Sequence, residues 1–182
     1  MPEGITTNMV SSDALKQVLA GNTAATFLSP NVEATHQFAA QLVEYLQPGA
    51  VIALFGDLGS GKTTFTQGFG KACGVAAPIT SPTFTLMHIY YGRQWPIYHF
   101  DFYRLQSVAE AQALGCEEYF DGDGVTLVEW PERALALLPP QHLQIHLRIP
   151  DFAASPSLRE IKIQRGHFSG NAIRRLTAEV AA

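Results

Sequence analysis

Hydrophobic residues along this chain fall into two kinds of run. "AVIALF" (50–55) and "VTLVEW" (125–130) are nearly unbroken apolar stretches of strand length, the pattern of strands covered on both faces. "LQIHLRI" and "LREIKIQ" alternate with period two, which predicts an antiparallel hairpin at the edge of the sheet. "ATFLS" (25–29) reads as a further strand. "FTLMHIYY" and "WPIYHFD" flank "GRQ" and predict another hairpin, with Asp101 at the far end of its second strand.

Between these runs the apolar spacing turns helical. Val32, Ala39, Leu42, Val43 and Leu46 follow Ser29 and Pro30, which read as an N-cap and a proline at the first helical position. Phe65, Phe69 and Cys73 fall four apart on one helical face, with Gly74 as the cap that ends it. Gly68 and Gly70 interrupt that helix; they either permit close packing or weaken it by about 1 kcal/mol each. "SVAE" (107–110) has the form of a capping box opening a helix that stops near Gly115. Pro131 predicts a helix through Leu138, Ser169 a final one through "NAIRRLTAEV", and "SSDALKQVLAG" a short one near the start.

Composition narrows the class. Among 182 residues, 47% are hydrophobic and 15% charged, and no apolar run reaches a membrane span, so a globular protein off the membrane is expected. Length suits a single domain, taken as residues 23–182, with residues 1–22 as an appendage. The net charge of -4 argues against a broad basic face for nucleic acid. Cys73 and Cys116 lack metal-like spacing, and the first twenty residues lack a secretory pattern, so reduced thiols in a cytoplasmic protein are expected.

The most specific chemistry lies in "GDLGSGKTT". Gly56, Gly61, Lys62 and Thr63 satisfy G-x-x-x-x-G-K-[ST], which a chain of this length would match by chance roughly once in 160 sequences. The motif lies between an apolar strand and a helical pattern, as its mechanism demands. Such a loop turns successive N–H groups inward, so Gly56, Asp57, Leu58, Gly59, Ser60, Gly61, Lys62, Thr63 and Thr64 are candidate nucleotide-binding residues. Lys62 neutralises phosphate and the Thr63 hydroxyl is a candidate magnesium ligand. The expected fold is therefore α/β, a P-loop NTPase fold of three α/β/α layers with a mixed parallel and antiparallel central sheet. ATP is preferred to GTP, because no N-K-x-D segment is present and Arg104 stands three residues after Asp101, where a GTPase would have glycine.

Two strands end in carboxylates, Asp101 and Glu129, and such a group beside a phosphate loop holds the magnesium or its water shell. The order of cradle, helix, polar loop "TSPTFT" (80–85), hairpin and Asp101 is similar to the switch arrangement of small GTPases, which makes Thr83 the candidate sensor of the terminal phosphate. The plainer alternatives stay open: Asp101 paired with Arg104 or capping a turn, Glu129 as an exposed strand end, Thr83 as a turn residue and Trp130 as a core aromatic. No histidine spacing suggests a metal site, so His88 and His99 read as packed strand residues.

"GDLGSGKTTF", "SPTFTL", "YHFDFYRL" and "LVEWPER", in that order over about residues 25–166, resemble the TsaE family, P-loop ATPases of bacterial tRNA threonylcarbamoyladenosine biosynthesis. The resemblance implies a cytoplasmic ATPase using ATP and Mg2+ and releasing ADP. It also implies action with the TsaD and TsaB proteins in modifying adenosine 37 of tRNAs that read codons beginning with A. In such a system the ATPase is not the threonylcarbamoyl transferase and meets tRNA only through the complex. Matching motifs imply Thr63 and Glu129 as magnesium ligands, Lys62 as phosphate-binding and Asp101 as acting in hydrolysis near the metal. The segment "EATHQFA" aligns with the family's first helix, which makes Thr35 a weaker nucleotide-binding candidate and Arg133 a still weaker one; Trp130, apart from the resemblance, is a candidate for nucleotide contact as much as for the core. Slow turnover by a free monomer or weak oligomer is expected, stimulated by partners. The rival readings are a small-molecule kinase, which would need an acceptor pocket, and a non-hydrolysing docking module that uses nucleotide only as a structural ligand.

Overall fold

The computed structural model describes residues 11–21 and 24–166. Seven strands form one sheet in the order β1-β7-β6-β2-β5-β4-β3, with β1 Ala25–Ser29, β2 Val51–Phe55, β3 Met87–Tyr91, β4 Pro96–Asp101, β5 Val125–Glu129, β6 Leu143–Arg148 and β7 Arg159–Arg165. The central strands β6, β2, β5 and β4 run parallel, while β3, β7 and β1 are antiparallel to their neighbours. This mixed α/β sheet is the one expected for a P-loop NTPase-like fold. One correction concerns the β6–β7 hairpin: it is interior, because β7 pairs with β1 and leaves β1 at the edge.

Helices α1 (Ser12–Leu19), α2 (Val32–Val43) and α3 (Lys62–Ala72) cover one face of the sheet. Their Leu15, Phe38, Leu42, Phe65 and Phe69 share a core with Ile52, Leu54, Leu127, Ile145 and Ile163. Thus α1, inside the segment set apart as an appendage, buries Leu15, Val18 and Leu19 in the main core. On the other face, α4 (Val108–Ala113) and α5 (Glu117–Phe120) place Ala111 and Phe120 against Val51, Ala53, Phe100 and Val128. The central strands are apolar on both faces because both are covered. In β6 and β7, Gln144, His146, Lys162 and Gln164 alternate with buried Ile145, Leu147, Ile161 and Ile163, which is the origin of the period-two pattern.

Two helix boundaries differ from expectation. The N-cap of α2 is Asn31, whose side chain accepts from the Ala34 N–H at 2.9 Å; Ser29 ends β1 and turns its hydroxyl onto Thr35. After Pro131 the chain makes two short 3-10 turns, Pro131–Arg133 and Leu135–Leu137, broken at Ala134, where φ is -149°. The predicted helix at Ser169 lies outside the described residues. Both cysteines are buried free thiols, and burial pushes each up to about 11.

The α3 glycines are packing residues. A Cβ on Gly68 would stand 2.5 Å from the His36 Cα, and one on Gly70 would stand 2.0 Å from Ile79 Cδ1. Side chains can shift, but the backbone of α2 cannot without moving the helix. Alanine at Gly68 is therefore expected to lower stability by about 1–3 kcal/mol through overpacking, despite gaining about 1 kcal/mol in helix propensity. Urea unfolding of Gly68→Ala measures this, and an unchanged or raised midpoint would show that the helices do not approach so closely.

Candidate nucleotide and metal site

The loop from Gly56 to Gly61 joins the C-terminal end of β2 to the N-terminus of α3, between the ends of β5 and β6. Gly56 has φ of 139°, and a Cβ there would stand 2.2 Å from the Leu147 carbonyl, so only glycine can occupy this close crossing. Gly61 caps α3 from the left-handed region, with φ of 109°. The unpaired N–H groups and positive end of α3 thereby face the cavity beside the loop.

Lys62 does not reach outward. Its ammonium donates to the carbonyls of Gly56 at 2.6 Å and Asp57 at 3.0 Å, and lies 4.0 Å from the centre of the Trp130 ring. Burial pushes it below the usual lysine range, opposed chiefly by the Glu129 charge and less by Glu132, Asp101 and Asp57. Trp130 has φ of 55° and rests on Tyr103, with ring centres 4.9 Å apart. The other positive-φ residue that is not glycine, among those described, is Leu86 at 65°, whose carbonyl accepts from the Asp101 N–H at 3.1 Å. Both strained positions therefore adjoin the two carboxylates, as strain held in place at a functional site does.

Asp101 and Glu129 are direct partners in the parallel register of β4 and β5. Their side chains consequently point to the same face, the one that carries α3. Asp101 is 2% exposed, and its Oδ2 accepts from Ser81 Oγ and Thr83 Oγ1, each at 2.6 Å; Oδ1 accepts from the Tyr103 N–H at 2.9 Å. Arg104 does not pair with it, lying instead over the Phe84 ring at 4.9 Å. Glu129 is 3% exposed and accepts from Thr63 Oγ1 at 2.9 Å on Oε1 and 3.2 Å on Oε2. His99 Nε2 lies 2.9 Å from the same Oε1.

A cavity of about 290 Å³ opens between these groups. Leu58, Gly59, Gly61, Lys62, Thr63 and Thr64 line one side, and Thr83, Asp101, Glu129 and Trp130 the other. Of the remaining candidates, Gly56, Asp57 and Ser60 belong to the loop's own frame behind the lining. Thr35 is buried with its hydroxyl 2.7 Å from Ser29 Oγ, and Arg133 is exposed; neither lines the cavity. Ser81 and Tyr103 also line it, and "SPT" could have signalled the first, since its hydroxyl lies 2.7 Å from Thr83 Oγ1. His99 behind Glu129 and Arg159, which donates to the Gly59 carbonyl at 3.3 Å from β7, carried no sequence signal.

The donor set fits a hard divalent cation. It consists of two carboxylates and a threonine hydroxyl, with no lysine or arginine ion-paired to either carboxylate among the described residues. Facing them are a buried ammonium and a glycine loop at a helix start, which fit phosphate.

Comparison with known proteins identifies the family and the fold. The family model described as "Threonylcarbamoyl adenosine biosynthesis protein TsaE" matches residues 29–154. Proteins named "tRNA threonylcarbamoyladenosine biosynthesis protein TsaE" are similar to this chain: that of Bacillus subtilis is 43% identical over 65% of this chain and 73% of its own length. That of Synechocystis is 46% identical over 63% and 74%, and that of Treponema pallidum 38% over 67% and 90%. The crystal structure of Bacillus subtilis YdiB superposes with a TM-score of 0.68 at 35% identity, over 87% of this chain and 95% of that one.

Because Trp130 is stacked over Lys62 while Trp95 sits in the opposite turn of the hairpin, a phosphate ligand that draws the ammonium away should change indole emission through Trp130 alone. Titration with Mg2+ and ADP is expected to alter fluorescence in the wild type and in Trp95→Phe but not in Trp130→Phe. A response that survives in Trp130→Phe would place the ligand elsewhere.

Proposed function

As the chain belongs to the TsaE family of tRNA threonylcarbamoyladenosine biosynthesis proteins, we propose that it binds ATP with magnesium in this cavity and hydrolyses it in support of that modification. The single observation carrying the reading is the pairing of Asp101 with Glu129 in register, both buried and both facing the start of α3. Ionised carboxylates in such a place cost several kcal/mol unless compensated. Hydroxyls, the Tyr103 N–H, one imidazole and the nearby Lys62 charge compensate only partly, and a cation shared with phosphate would complete the balance.

The roles follow from position. Thr63 and Glu129, with Asp101 at the metal's water shell, would hold magnesium, which when bound neutralises charge on the phosphates. The loop amides and Lys62 hold the phosphate chain; Lys62 exchanges its two carbonyl partners for phosphate oxygens. Thr83 has one hydroxyl proton, now given to Asp101, and can redirect it to a terminal phosphate. Asp101, freed of that donor, accepts a hydrogen bond from the attacking water and orients it. No arginine lines the cavity among the described residues, Arg159 being turned to the Gly59 carbonyl, which supports slow turnover by the isolated chain. We place it in the cytoplasm with the TsaD and TsaB proteins as its stimulating partners, tRNA being reached only through them.

The test is ATP hydrolysis by the chain alone and with TsaD and TsaB, using Lys62→Ala as the control without phosphate binding. Partners are expected to raise the rate, and Asp101→Asn to keep ATP binding while losing about 100-fold or more in hydrolysis. An unstimulated rate would count against the partnership, and full activity of Asp101→Asn would remove that residue from the mechanism.

A further inference from the structure

His99 reads from sequence as a packed strand residue, and in the fold it is 0% exposed on the same face of β4 as Asp101. Its neighbours on that face of the sheet include Ile97, Val125 and Leu127, so an aliphatic side chain would pack there without any buried polar atom. An imidazole in this position therefore asks for a reason. Its Nε2 lies 2.9 Å from Glu129 Oε1, whereas its Nδ1 is buried and has no hydrogen-bond partner.

These two facts together fix the proton. A neutral imidazole has one N–H; carried on Nδ1 it would have no acceptor and would leave two lone pairs facing each other at Nε2 and Oε1. Carried on Nε2 it donates to the carboxylate. The same Oε1 also accepts from Thr63 Oγ1, so two donors from β4 and α3 grip one oxygen and determine the plane of the carboxylate.

We propose that His99 is a positioning residue: its Nε2–H holds Glu129 in the orientation that lets this carboxylate and Thr63 share one cation. The proposal rests on the reading of Glu129 as a metal ligand. Magnesium tolerates little departure from octahedral geometry, so a ligand free to rotate binds it less well. Loss of a partner that orients a metal ligand typically weakens metal binding about 10- to 100-fold.

The experiment measures ADP binding by calorimetry in EDTA and across a Mg2+ titration for wild type, His99→Leu, His99→Gln and Glu129→Gln. His99→Leu is expected to raise the half-saturating Mg2+ concentration about 10- to 100-fold while ADP binding in EDTA stays unchanged. His99→Gln, whose amide can still donate to Oε1, is expected to stay much closer to wild type. An unshifted Mg2+ requirement in folded His99→Leu, or an equal loss of ADP binding with and without metal, would overturn the positioning role. If wild type and Glu129→Gln respond alike to Mg2+, the metal-ligand reading itself fails and takes the proposal with it. Should His99→Leu not fold, the wild-type imidazole 15N spectrum decides: an Nε2–H tautomer is expected, and an Nδ1–H tautomer refutes the donation.

Discussion

Everything at this site depends on two carboxylates that face each other across adjacent parallel strands, both almost wholly removed from water. The register that pairs Asp101 with Glu129 forces their side chains onto one face, and that face is closed by α3. Among the described residues no lysine or arginine is ion-paired to either carboxylate. The sheet beneath them is Ile, Leu and Val, and the nearest ammonium, on Lys62, is turned to backbone carbonyls. Compensation comes from hydroxyls, the Tyr103 N–H and an imidazole, which satisfy lone pairs without neutralising charge.

The backbone around them is arranged for that purpose at some energetic cost. Trp130 and Leu86 adopt left-handed conformations that disfavour bulky residues by about 1–2 kcal/mol each. One delivers an indole to the Lys62 ammonium, and the other a carbonyl to the Asp101 N–H. Gly56 lets the glycine loop cross the Leu147 carbonyl, and Gly68 brings α2 against α3. Packing far from the cavity thus sets the direction in which the first turn of α3 points. On this frame the Ser81 and Thr83 hydroxyls of the 80–85 loop close onto Asp101.

How much of this was legible beforehand differs by kind of signal. Strand and helix periods, the glycine loop and the strand-end carboxylates are local patterns, and all seven strands and the helix after the loop stand where those patterns put them. Tertiary choices are not local. Asn31 rather than Ser29 caps α2 because Ser29 is claimed by the sheet and by Thr35. The residues after Pro131 break into 3-10 turns because the chain must pass from β5 to β6, and nothing in "PERALALL" reports that path. His99 was hidden for a related reason: a histidine in an apolar strand looks the same whether it fills space or grips a carboxylate thirty residues away.

If the buried carboxylate of Glu129 is there for a cation and not for the fold, unfolding stability under two conditions will show it. In EDTA without nucleotide, Glu129→Gln should be at least as stable as wild type, because the amide can accept from His99 and donate to Thr63. With Mg2+ and ADP at about 100 times the dissociation constant, wild type should gain roughly 2.7 kcal/mol and the variant much less. A variant that is less stable in EDTA yet gains as much as wild type on loading would contradict the account.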